Sequence, residues 1–295
     1  MDFKTALSLY AERAEERLSA HLSQKQLGAA RLNDAICYST LGGGKRLRAY
    51  MVQEFAFLCG RTPNGVLDYA SAIEMIHAFS LIHDDLPAMD NDDMRRGKPS
   101  NHKKYGEATA ILAGDSLALD AFGVICGTSD CSPMQNELAV LALSRFSGSL
   151  GMCAGQQLDI DGEGKKLTLE ELTRLVDNKT GALFSCACAL GCIAASATKE
   201  QIFKAEQFGL LSGRAFQITD DILDITSTPE ELGKTIGKDI AQEKSTFVSL
   251  LGLEGAKKYA EECINGAKAC LDAFADNEAK ARLNEFCDYI LVRRK

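Results

Sequence analysis

Apolar residues return every three or four positions along most of the 295-residue chain, and runs alternating with period two are almost absent. This pattern predicts helices near 3–21, 25–38, 45–59, 65–84, 105–127, 134–160, 168–195, 199–225, 242–252, 255–275 and 278–291. The five prolines, Pro63, Pro87, Pro99, Pro133 and Pro229, all fall where such helices begin or end. Thr168 and Glu171 have the spacing of a capping box. Gly-rich or charged breaks fall at 42–44, 94–99, 162–166 and 232–238, and none has the composition of a domain linker. The expectation is one all-α domain spanning residues 1–295.

Two of the apolar helical runs end in carboxylates. One is followed by Asp84-Asp85-Leu86-Pro87-Ala88-Met89-Asp90, the other by Asp220-Asp221-Ile222-Leu223-Asp224. Carboxylates this dense repel one another, and beside a core they need a cation. Hard oxygen donors suit Mg²⁺, which takes one or two carboxylates and completes its octahedron with water and phosphate oxygen. Pro87 disfavours helix at Leu86, so a bulged helix end would swing Asp90 back beside Asp84. Asp220 and Asp224 share a helix face by their spacing of four, with Gln217 expected one turn before them. Two such motifs predict one shared metal–phosphate site built from both.

Basic groups supply the complement. Gly42-Gly43-Gly44-Lys45-Arg46-Leu47-Arg48 leads into a helix whose first turn is cationic, an arrangement that favours an anion at that end. It is not a Walker A loop, because the spacing is wrong and no strand precedes it. Arg95 and Arg96 follow Asp90 closely, and guanidinium forks bind phosphate bidentately. Lys179-Thr180, Lys234 and Lys244 are further candidates. His77 lies seven residues before Asp84, two helical turns, on nearly the same face.

Composition narrows the partners. With 46% hydrophobic and 25% charged residues the chain is of ordinary globular make-up, and its formal charge of −8 argues against nucleic acid. No uninterrupted run of 18 apolar residues is present, so no transmembrane helix is expected. The start, Met1-Asp2-Phe3-Lys4-Thr5, lacks the basic segment and apolar stretch of a signal peptide, and a cytoplasmic location is expected. The eleven cysteines form no CxxC pair or zinc spacing and read as small buried hydrophobes in a reducing compartment.

Taken in order, GGGKRLR, EMIHAFSLIHDD, DDLPAMD with RRG, GQQLD, NKTGALF, FQITDDILD, LGKTIGKD and EKSTFVSLLG resemble the trans-prenyl diphosphate synthases, most closely the bacterial farnesyl type. The resemblance runs from about residue 25 to the end. It implies an all-α bundle of ten or more helices around a central cavity, usually a homodimer, with three Mg²⁺ ions bridging both Asp sets and an allylic diphosphate. Carried over by motif, Asp84, Asp85 and Asp90 are the first metal set, and Asp220, Asp221 and Asp224 the second. Arg95, Lys179, Thr180, Gln217, Lys234 and Lys244 match positions serving the allylic substrate. Lys45, Arg48, His77 and Arg96 match positions holding isopentenyl diphosphate. Gln156 and Asp159 are expected to line the cavity and orient Lys179, and Arg293-Arg294-Lys295 resembles a basic tail that closes over the site. Asn91 departs from the pattern, standing where many relatives carry Asp.

The implied chemistry joins isopentenyl diphosphate to dimethylallyl and then geranyl diphosphate, giving farnesyl diphosphate. Phe79 sits five residues before Asp84, about 7 Å deeper along the helix, where a ring would stop the growing chain. Geranylgeranyl diphosphate is the alternative product. A terpene cyclase, a non-catalytic partner subunit and an acidic helical scaffold are the other readings. The second set of phosphate-binding residues argues against the cyclase, and the two intact Asp sets against the partner subunit.

Overall fold

The computed structural model describes residues 1–23, 29–226 and 244–293. Lys234, Arg294 and Lys295, with Pro229 and the 232–238 break, lie outside them. The described residues are helical almost throughout. They group into two compact units, Met1–Leu143 with Leu190–Ser196, and Ser144–Ala189 with Ala197–Lys295.

The first unit holds α1 (Phe3–Ser23), α2 (Ala30–Thr40), α3 (Leu47–Leu58), α4 (Leu67–Asp84), the short α5 (Asn101–Tyr105) and α6 (Glu107–Gly127). Between α4 and α5 lies a hairpin of two-residue strands, β1 (Met94–Arg95) and β2 (Lys98–Pro99), paired antiparallel with Arg95 opposite Lys98. Strands this short carry no period-two pattern and were invisible to hydropathy. Helix α4 is the centre of the unit. It is packed by α1, α3 and α6, and Tyr69, Ile73, Met75, Ile76 and Ile82 are buried around its circumference.

The second unit holds α8 (Met152–Gly162), α9 (Leu169–Val176), a π-helical turn (Asp177–Gly181), α11 (Lys199–Thr226), α12 (Phe247–Cys270) and α13 (Glu278–Val292). Two helices are divided between the units: α7 (Pro133–Ser147) and α10 (Ala182–Ala194). In the second unit α11 packs along α12 and α13 over a core that includes Phe208, Ile218, Phe247, Ile264 and Phe286.

Helix boundaries agree with the hydropathy pattern at 199–226 and 278–292, and the Thr168–Glu171 capping box forms. The expected helix at 134–160 is instead broken between Ser147 and Met152. A side chain at Gly151 would meet the Phe146 carbonyl at 2.1 Å, so the chain turns where glycine alone fits. The helices expected at 242–252 and 255–275 join as α12, kinked at Gly252 (φ +70°).

No run of 18 uninterrupted apolar residues occurs, yet three helical segments are apolar on average. Averaged over 18 residues, Pro63–Asp84, Glu107–Gly127 and Pro133–Gly162 are apolar enough to cross a membrane by length and composition, because small residues fill the gaps between larger apolar ones. In α4 that apolarity is accounted for by burial on every side.

Ion pairs with at least one buried partner tie the first unit together. The Arg17 guanidinium donates to both oxygens of buried Asp68, at 2.6 and 3.0 Å, joining α1 to α4. Arg46, buried and left-handed just before α3 (φ +50°), donates to Glu15 of α1 (2.7 Å), Glu74 of α4 (3.1 Å) and the Thr40 carbonyl (2.5 Å). Removing one partner of such a cluster strands the others. Arg46→Ala should therefore lower unfolding free energy by about 3 kcal/mol. Urea denaturation measures this, and an unchanged midpoint would contradict it.

Candidate active site

In the first unit the acidic segment leaves α4 as a tight return. The Asp90 N–H donates to the Asp84 carbonyl (2.9 Å) and the Asp92 N–H to the Asp85 carbonyl (3.2 Å). The chain after Pro87 thus folds back as its sequence implies, with Asn91 in the left-handed region. Asp84 and Asp90 are half-buried. Asp85 is buried, and Arg95 forks onto it from β1 at 2.5 and 3.1 Å to Oδ1 and 3.2 Å to Oδ2. Burial pulls Arg95 down, but Asp85 outweighs it and holds the guanidinium above its usual value. Arg96 and Gly97 form the two-residue turn of the hairpin, both at positive φ as a type I′ turn requires. The Arg96 guanidinium donates to the Gly43 carbonyl, which brings the hairpin to the Gly-rich segment.

A cluster of guanidiniums results. His77 lies among Arg48, Arg96, Arg46 and Arg95; burial first, and then these cations, hold its imidazole well below the ordinary histidine value. Burial lowers Arg48 to about 10, Glu74 opposing and Arg96 adding to the fall. Arg96 is lowered by burial and by neighbouring Arg46 and Arg95. Cations that depress one another are a standing attraction for a polyanion. Lys45 is exposed at the same segment. The sequence reading singled out Lys45, Arg48, His77, Arg95 and Arg96, and the fold brings the last four together. It missed Arg46, whose role is to anchor the segment between α1 and α4.

In the second unit α9 continues into the π turn that carries Lys179 and Thr180. Such insertions shift backbone groups out of α-helical register and often mark functional sites. Arg214 of α11 holds the turn, donating to both oxygens of Asp177 at 2.8 and 2.7 Å and to the Tyr259 hydroxyl at 3.2 Å. Arg214 also went unnoticed, although it is the one charge between Phe208 and Thr219. Gly155 of α8 lies against the turn so closely that a Cβ would meet the Lys179 nitrogen at 2.0 Å. Asp159 receives Lys179 (2.7 Å) and Lys244 (3.2 Å), and these ammonium groups overcome burial to hold its carboxyl below the usual range. The expected pairing of Asp159 with Lys179 is thus present. Gln156 is buried with neither amide atom hydrogen-bonded.

The second aspartate set lies on α11, with Gln217 one turn before it. Gln217 Nε2 donates to Asp221 Oδ1 (3.1 Å), four residues on. Asp221 is buried, and its Oδ2 accepts the Phe247 N–H (2.9 Å) at the start of α12, where the helix dipole favours a negative charge. Thr180 Oγ1 lies 3.4 Å from Gln217 Oε1. Asp220 accepts from Arg293 (2.8 Å), whose guanidinium also donates to the Phe216 carbonyl (2.6 Å) and stacks 3.6 Å over the Phe216 ring.

Among the described residues no three His, Cys, Asp or Glu side chains converge closely enough to hold an ion by themselves. The donors of both sets are carboxylate oxygens. Such a set fits an ion that takes few protein ligands and fills its shell with water and phosphate oxygen, as Mg²⁺ does.

A family model described as "Polyprenyl synthetase" matches residues 29–283. A protein of Geobacillus stearothermophilus named "Farnesyl diphosphate synthase" is 42% identical over 293 residues, covering 98% of this chain and 94% of that one. The chloroplastic "Geranylgeranyl pyrophosphate synthase" of Capsicum annuum is 44% identical over 264 residues, 89% of this chain and 71% of that one. Among solved structures, an FPP/GFPP synthase from Zymomonas mobilis superposes with a TM-score of 0.87 at 34% identity, covering 98% and 99% of the two chains.

The state of His77 has a consequence for stability. Folded, it refuses a proton that the unfolded chain accepts below about pH 6.5, so stability falls as the pH drops through that value. His77→Gln removes this part of the fall. Urea midpoints at neutral pH and below pH 6 should converge in the variant relative to the parent, and identical pH dependence would contradict the assignment.

Proposed function

Because the chain belongs to the polyprenyl synthetase family, we propose that it is a Mg²⁺-dependent farnesyl diphosphate synthase. It condenses isopentenyl diphosphate with dimethylallyl diphosphate and then with geranyl diphosphate. The observation that carries this reading is the group of mutually repelling guanidiniums around a neutral His77, next to a carboxylate return loop. One diphosphate neutralises the cations, and a second is taken by the carboxylates through ions.

Arg48, Arg96, Lys45 and His77 hold isopentenyl diphosphate. Asp84, Asp85 and Asp90 in the first unit, and Asp220, Asp221 and Asp224 in the second, would each hold Mg²⁺, which would supply Lewis-acid charge at allylic diphosphate oxygens. Arg95 exchanges Asp85 for those oxygens, and Lys179, Lys234 and Lys244 add positive charge where the leaving group develops its own. The allylic C–O bond breaks, and its electron pair departs with diphosphate. The double bond of isopentenyl diphosphate then attacks the cation, forming the new C–C bond. The released diphosphate takes the proton lost in restoring the alkene. Thr180, Gln217 and the Lys179 carbonyl face the cation with dipoles and offer it no strong nucleophile. Phe79 forms the floor that limits the chain to fifteen carbons. Similarity to the Capsicum annuum protein keeps geranylgeranyl diphosphate as the second reading.

The enzyme acts as a homodimer in the cytoplasm. Ile111, Leu112 and Leu119 are exposed on α6, and Met134, Leu138 and Leu141 on α7, surfaces that a second copy would cover.

Incubation of the purified protein with dimethylallyl and isopentenyl diphosphates and Mg²⁺ should yield the fifteen-carbon diphosphate, with no product after chelation. Absence of any prenyl diphosphate product would overturn the reading, and a predominant twenty-carbon product would favour the second. Lys179→Ala should lower kcat about a hundredfold or more, with little change in thermal unfolding. Leu119→Glu should shift the protein from dimer to monomer by light scattering; a monomeric parent would remove the dimer proposal.

A further inference from the structure

We propose that His83 is a positioning residue that fixes the Phe79 ring and thereby the product length, and that Gly114 is the gap in α6 that lets it do so. The inference rests on the reading of Phe79 as the cavity floor. Nothing in the proposed chemistry uses His83, although it immediately precedes the first aspartate set.

Phe79 and His83 lie four residues apart on α4, one turn along the same face. Their rings meet edge to face, with centroids 5.0 Å apart and planes at 84°. The other side of the imidazole is held by α6. His83 Nε2 lies 3.1 Å from the Ile111 carbonyl oxygen, a contact that places the ring proton on Nε2 as donor. Asp115 Oδ1, one turn further along α6, is 3.8 Å from the same nitrogen. The imidazole reaches the carbonyl only because residue 114 has no side chain. A Cβ there would lie 2.2 Å from Nε2 and 2.4 Å from Cδ2.

His83 is therefore clamped between helices and presents a fixed surface to the Phe79 ring. A floor made by one aromatic ring is only as firm as its rotamer. Phe79 sits on a helix face where more than one χ1 well is open, and the imidazole blocks the space into which the ring would otherwise swing. Without that block the ring yields to a longer isoprenoid chain. Specificity here is a difference of a few methylenes in an apolar cavity, the kind of discrimination a small shift in one wall changes by one or two orders of magnitude.

The test compares product lengths from dimethylallyl and isopentenyl diphosphates with Mg²⁺ for the parent, Phe79→Ala, His83→Ala, Gly114→Ala and the double variant Phe79→Ala/His83→Ala. His83→Ala should raise the fraction of products longer than the parent's roughly tenfold. Gly114→Ala should do the same, because its Cβ meets the far end of the half-buried imidazole and pushes it aside, and an unchanged thermal midpoint checks that the fold is intact. The double variant should match Phe79→Ala, because His83 acts through that ring. Parent product lengths in both His83→Ala and Gly114→Ala, with Phe79→Ala lengthened, overturn the inference and leave the floor reading standing. Further lengthening in the double variant beyond Phe79→Ala also overturns it. Parent lengths in Phe79→Ala remove the floor reading and the inference together.

Discussion

Negative charge packed beside an apolar core has to be neutralised, and this requirement shapes both units of the protein. Asp85 is met by Arg95, Asp220 by Arg293, Asp177 by Arg214, Asp159 by Lys179 and Lys244, and the pair Glu15 and Glu74 by Arg46. These pairs fall into two kinds. Arg46 and Arg214 hold helices and turns in place and touch no group assigned to substrate. Arg95 and Arg293 instead sit on carboxylates proposed to bind divalent ions, and Lys179 and Lys244, held by Asp159, are proposed to reach diphosphate. Their contacts are of a kind that a stronger ligand exchanges, since each cation gains as much from a phosphate oxygen as from the carboxylate it leaves.

The opposite imbalance surrounds His77. There the cations outnumber the carboxylates, and the structure bears their repulsion because α1 and α4 grip Arg46 through Glu15 and Glu74. A neutral imidazole among guanidiniums adds a hydrogen-bonding group without a further charge. Backbone devices support the same end. The type I′ turn puts Arg96 in a left-handed conformation beside the Gly-rich segment. In the second unit the π turn is braced by Arg214 and by close approach to Gly155, and this brace sets where Lys179 and Thr180 stand.

Much of this was legible in the chain. Helices with a strong apolar period and clear ends, such as 199–226, follow directly from spacing, and so does the return of Asp90 to Asp84, because Pro87 forbids the helix from continuing. What stayed hidden depends on contacts rather than period. The π turn at 177–181, Asp-Asn-Lys-Thr-Gly, lies inside a stretch that reads as one helix from 168 to 195, and one inserted residue leaves no mark in the spacing on either side. The break at Ser147 needed the close contact at Gly151 to become visible. Helix spacing puts Gln217 on the face of Asp220 and Asp224, and spacing alone does not show that its amide is held by Asp221. Arg46 stands in a basic run with no mark of its own, and only its contacts with two glutamates separate it from Arg48.

On the proposed reading the guanidinium cluster recognises one diphosphate unaided, while the carboxylate sets recognise the other only through divalent ions. Calorimetric titration separates the two, using isopentenyl diphosphate and an unreactive allylic thiolodiphosphate, each with Mg²⁺ and with a chelator. Isopentenyl diphosphate should bind in both conditions, and the allylic analogue only with Mg²⁺. Equal binding of the allylic analogue in chelator, or loss of isopentenyl diphosphate binding there, would contradict it.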